Sequence, residues 1–124
     1  MSSVDVPVTP SATVEPGEMR TVRYSWYDPR LGGPNCLTFV NGECVSKMAS
    51  GLPWQKYIDK SPGAVACPPE WPMWTQVRFG GQLWYCLDRG GKVKYVQGVP
   101  FLDFLVTEPH MAYNTIIDVE VTWP

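Results

Sequence analysis

The chain is poor in the groups that build most metal and acid–base sites. Its 124 residues hold one histidine, His110, which follows Pro109 in a turn-like stretch. A Cys–His nucleophilic pair therefore ranks far below other readings, since a lone His on a short turn is usually a surface residue. None of the four cysteines forms a Cys-x-x-Cys pair, so no zinc site is expected, and no motif calls for a cofactor. Cationic charge is also scarce: 10 Lys and Arg stand against 12 Asp and Glu, for a net charge of −2. That balance gives no electrostatic reason to expect nucleic acid or an anionic membrane as partner. No apolar run approaches the ~20 residues of a membrane span. No segment is long enough for an amphipathic helix, and no internal repeat is detectable. Met1–Asp5 has neither a basic nor an apolar region, so no secretory signal is expected.

Punctuation and β-formers are plentiful. Thirteen Pro and eleven Gly in a chain that is 44% hydrophobic predict short strands and turns around one core. Residues 1–19, rich in Pro, Val, Ser and Thr, read as an extended arm with a short strand at Val4–Thr9. Residues 20–124 read as the folded domain. Arg20–Tyr27 is the first expected strand. Leu37–Val40 and Glu43–Val45 flank Asn41-Gly42, a type I′ hairpin signal. Met48–Gly51 is expected to return into the sheet, and Pro53–Ile58 to form one helical turn. Ala64–Cys67 is a short strand stopped by Pro68-Pro69. Trp74–Phe79 and Gln82–Leu87 meet at Gly80-Gly81, where both turn positions require φ > 0. Val93–Val96 is extended, Gly98 and Pro100 break the chain, and Leu102–Leu105 follows. Pro109–Tyr113 is a single helical turn. Thr115–Trp123 alternates Ile117, Val119, Val121 and Trp123 with Ile116, Asp118, Glu120 and Thr122, a period of two with one wet face.

Cys36, Cys44, Cys67 and Cys86 permit three pairings. The favoured one joins Cys36 to Cys44 and Cys67 to Cys86. The hairpin register sets Cys44 opposite Phe39, so the first bridge has to close outside the ladder. Four free buried thiols are the alternative.

Two carboxylates stand out. Asp88 leaves the hairpin into Arg89-Gly90-Gly91, where the backbone can approach a ligand closely. Asp103 is set among Phe101, Leu102, Phe104 and Leu105. It is either turned to water by strand alternation or held in a partly dry pocket that raises its proton affinity. Val65-Ala66-Cys67-Pro68, then Pro72-Met73-Trp74-Thr75, then Asp88-Arg89-Gly90-Gly91-Lys92-Val93-Lys94, then Leu102-Asp103-Phe104 resembles the layout of the three-aspartate (3D) domain. Met48–Gly51 is similar to that family's small-residue stretch. The resemblance covers roughly residues 22–124. Cys67 stands where the family has its first aspartate, and Trp74 where it usually has Gly.

The resemblance implies an all-β fold, a six-stranded double-psi β-barrel, here with an extended N-terminal arm. It also implies glycan chemistry like that of lytic transglycosylase A. Asp103 would be the catalytic acid and then base, with Asp88 holding substrate and tuning the site's charge. Gly90, Gly91, Lys94 and Thr75 would bind substrate. Trp71 and Trp74 are the candidates for stacking on sugar rings, with core packing as the alternative. The implied partner is the peptidoglycan glycan strand, at the cell envelope, outside the cell or on a phage particle, where the arm could clamp other virion subunits. Two non-enzymatic readings stand beside it: a structural subunit of a phage tail or capsid surface, and a glycan-binding module without turnover.

Overall fold

The computed structural model describes residues 17–33, 36–90, 95–107 and 115–124. The strands are β1 (Glu18–Tyr27), β2 (Phe39–Val40), β3 (Glu43–Cys44), β4 (Gly63–Cys67), β5 (Gln76–Phe79), β6 (Gln82–Arg89), β7 (Tyr95–Val96), β8 (Val99–Leu105) and β9 (Thr115–Thr122). Short 3-10 turns lie at Pro29–Leu31 and Trp54–Lys56. The arm strand expected at Val4–Thr9, the turn at Pro109–Tyr113 with His110, and Gly91 and Lys94 lie outside the described residues.

Six strands close on themselves in the order β1-β9-β5-β6-β4-β8, and β8 returns to β1. β1 with β8 and β4 with β6 run parallel; the other four neighbours run antiparallel. Exchanging β1 with β6, β4 with β8 and β5 with β9 reproduces every pairing and its direction. That internal two-fold, with its two parallel pairs, is the double-psi arrangement. It joins halves that share no readable sequence repeat. β7 extends β8 on one side, and β2 pairs β3 in a separate hairpin.

The turns are where local chemistry puts them. Gly80 and Gly81 sit at φ of 65° and 76°, and Asn41 and Gly42 at 52° and 80°, as two-residue hairpins require. Three details differ from expectation. β1 begins at Glu18, two residues inside the stretch assigned to the arm. Pro100 does not break the chain but lies within β8, opposite Tyr95 of the two-residue β7, where the sheet is shortest and a missing donor costs least. Met48–Gly51 is a turn and not a barrel strand: the Gly51 amide donates to the Met48 carbonyl, and the Ser50 amide donates to the Leu87 carbonyl on β6.

Strand alternation sorts the core. Val22, Tyr24, Val65, Cys67, Val77, Trp84, Cys86, Leu102, Phe104, Ile117, Val119 and Val121 fill the barrel. A second cluster lies outside it, where Met48 and Trp54 cover Ala64, Leu87 and Leu105. β4 is buried along its whole length because it faces both clusters. Both favoured disulfides are present. Cys67–Cys86 ties β4 to β6 inside the barrel. Cys36–Cys44 closes outside the hairpin ladder, in which Cys44 does face Phe39.

Candidate functional site

One irregularity in β6 decides where Asp88 points. Trp84 and Cys86 face the barrel interior, so unbroken alternation would send Asp88 inward as well. The register between β4 and β6 instead slips by one residue: Val65 pairs with Cys86, and Ala66 pairs with Asp88. Leu87 is the additional residue, and it packs into the outer cluster. Such bulges re-aim a side chain. Here the bulge turns Asp88 out of the core and onto the outer face of the barrel.

That face carries a row across four strands. Asp88 on β6 lies beside Ala66 on β4, Ala66 beside Asp103 on β8, and Asp103 beside Ser25 on β1. The two aspartates are two strand spacings apart, about 10 Å at the backbone. Ala66, whose side chain is a single methyl group, lies between them in register. All three line one cleft of ≈ 380 Å³, walled by Tyr27, Met48 and Trp54 and bordered by the Cys36–Cys44 bridge.

Each acid has its own surroundings. Asp88 accepts three hydrogen bonds: from the Tyr27 hydroxyl at 2.8 Å, the Ala49 amide at 2.9 Å and the Arg89 amide at 2.9 Å. The Ala49 bond explains the Met48–Gly51 turn, which brings a backbone donor to the carboxylate. Tyr27 keeps its proton: burial first, then the Asp88 charge and hydrogen bond, push its pKa well above the ordinary tyrosine value. Asp103 is half-buried between the fully buried Leu102 and Phe104. Burial raises its pKa from 3.8 to about 6; a hydrogen bond with Ser25 opposes the rise and the nearby Asp88 charge adds to it. Both alternatives posed for Asp103 are thus partly met: alternation turns it outward, into a partly dry cleft.

Among the other residues singled out in the sequence, Gly90 lines the cleft. Thr75, Trp71 and Trp74 do not. Thr75 is buried and its hydroxyl donates to the Pro72 carbonyl at 2.7 Å, which locks the turn before β5. Trp71 is buried with its ring edge-on to Trp123, so it packs the core instead of offering a face to sugar. Trp74 is 47% exposed and packs on Tyr85 away from the cleft. Its φ of 73° is a conformation that favours glycine. Cys67 is bridged, buried and directed into the barrel, on the opposite face from the acids, so it supplies no anion to the site. Sequence reasoning missed Ser25, Tyr27 and the Ala49 amide. β1 alternation could have put Ser25 and Tyr27 on one face, but nothing local says which strands flank it.

Arg89 also lines the cleft, but its Nη1 donates to the Pro68 and Trp71 carbonyls at 3.1 and 2.7 Å and fixes the loop between them. No group of three or more metal-ligating side chains is found among the described residues. No described helix is long and apolar enough to cross a membrane. Two disulfides are compatible with an oxidising compartment. Comparison with protein-family models, with curated proteins and with solved structures finds no match to this chain.

Proposed function

We propose that the cleft binds peptidoglycan glycan strands and cleaves them in the manner of a lytic transglycosylase. The observation that carries this reading is the pair of carboxylates on either side of Ala66, opening into one cleft. Its ≈ 380 Å³ falls within the ~300–1,000 Å³ usual for small-ligand sites.

Glycoside cleavage needs an acid still protonated near neutral pH, and burial against apolar groups is the usual way to obtain one. Asp103 with a pKa of about 6 meets that need. Its proton passes to the glycosidic oxygen as the bond from the anomeric carbon to that oxygen breaks. Positive charge then develops on the sugar ring, where the Asp88 charge stabilises it. The Asp103 carboxylate takes a proton from the ring's own primary hydroxyl, whose oxygen bonds to the anomeric carbon. An anhydro sugar and a shortened strand result, Asp103 is protonated again, and no water is consumed. Such a protein would work at the cell envelope, outside the cell or on a virion.

A second reading, a non-enzymatic barrel serving as a virion subunit or glycan-binding module, draws on the cleft rim. Leu37 is 94% exposed, and Phe39, Val40 and Val45 of the same hairpin region are exposed with it. Such a group suits contact with another surface. Digestion of purified peptidoglycan with mass detection of anhydro-muropeptides separates the readings. The wild type should release them and Asp103→Asn should not. Equal release by both removes Asp103 from its role, and no release by either leaves the non-enzymatic readings.

A further inference from the structure

Among the described residues, the cleft has the Asp88 carboxylate on its floor and one uncommitted cation at its edge. Lys47 lines it, is exposed, and takes part in no ion pair among the described residues; the pairs found there are Arg20–Glu18 and Arg30–Asp28. The other described cation on the lining, Arg89, is occupied by backbone carbonyls. The backbone around Lys47 is held on both sides. The Val45 amide donates to the Thr38 carbonyl at 2.9 Å, and the Ser46 hydroxyl touches both sulfurs of Cys36–Cys44. The Met48 amide donates to the Leu52 carbonyl at 3.0 Å with the Met48 side chain buried, and the Ala49 amide is bound to Asp88 itself. The ammonium therefore swings from an anchored stem two residues from a site carboxylate's donor.

A neutral oligosaccharide has no use for that cation. A glycan carrying carboxylates does, because the Asp88 charge would otherwise repel it. We propose that Lys47 is a specificity-determining residue that pairs with a carboxylate on the glycan, so that the cleft selects acidic, lactyl- or peptide-substituted strands over neutral chitin-like ones. The assignment rests on the glycan reading of the cleft and names the residue that would read the charge of its substrate.

Co-sedimentation of the full chain with peptidoglycan sacculi tests it, comparing native sacculi with sacculi whose carboxyl groups have been amidated. Wild-type affinity should fall about three- to five-fold on amidation, the most that one exposed ion pair supplies, and the difference should shrink in high salt. Lys47→Gln should bind both preparations at the lower level, and Lys47→Arg should recover most of the preference. A Lys47→Gln protein that keeps the full preference for native sacculi overturns the assignment, as does a wild type indifferent to amidation. Binding is read apart from turnover. Carboxylate preference without anhydro products would remove the lytic chemistry and leave Lys47 in its role.

Discussion

Asp103 should make the protein less stable as pH rises through 6. Its folded pKa of about 6 lies above the ordinary 3.8. Folding therefore favours the protonated form, and the associated stability is complete below about pH 4 and is lost as pH rises through 6. The rise from 3.8 to about 6 corresponds to about 3 kcal/mol. Asp103→Asn cannot ionise and can still accept from Ser25. It should match the wild type at pH 3.5 and exceed it by up to ~3 kcal/mol at pH 8. For a domain of this size that is a gain of roughly 10 °C in Tm. Thermal unfolding followed by near-ultraviolet circular dichroism across pH 3.5 to 8 measures it. A stability gap that does not change with pH, or none at pH 8, would mean that Asp103 is solvated, and the argument for a dry acid would fall. A variant more stable and inactive is the outcome expected where a strained group serves chemistry.

Asp88→Ala should lose about 2–4 kcal/mol, because the Tyr27 hydroxyl and the Ala49 and Arg89 amides would lose their shared acceptor. Denaturant unfolding checks this, and a loss below about 0.5 kcal/mol would show that the donors find water instead. Tyr27→Phe should lose about 1 kcal/mol by the same measurement, since a single donor is removed. Replacing Cys67 and Cys86 together by Ala opens a bridge of sequence separation 19 and should cost about 3 kcal/mol, with the acids unmoved because the bridge lies on the other face. Retained glycan binding in a destabilised double variant is the expected result.

The hairpin turns and the last strand were legible locally, whereas the Pro100 break and the course of Met48–Gly51 were not. Asn41-Gly42 and Gly80-Gly81 announce their turns because φ > 0 is a property of two residues and needs no partner. The alternation of Ile117, Val119 and Val121 marks the buried face of β9 for a similar reason, since a strand's period belongs to its own backbone. Asp103 was conspicuous because four apolar neighbours surround it in sequence. Trp71 and Trp74 misled, because an indole ring fills a core as readily as it lines a groove, and sequence proximity to Asp88 does not tell which.

By itself the sequence determined that this chain is all-β, where its hairpins turn, and which two carboxylates are unusual. Only the tertiary structure decided that those carboxylates share one cleft. Their sharing a cleft depends on β4 lying between β6 and β8, a pairing of strands far apart in the chain, and on a one-residue slip at Leu87 that moves Asp88 to the outer face. Register between distant strands is set by the packing of two cores on opposite sides of β4, and no single segment carries that information. The same reason hides the two-fold exchange of halves: equivalent pairings are made by unlike residues, because the barrel asks only for apolar groups of fitting size at its inward positions.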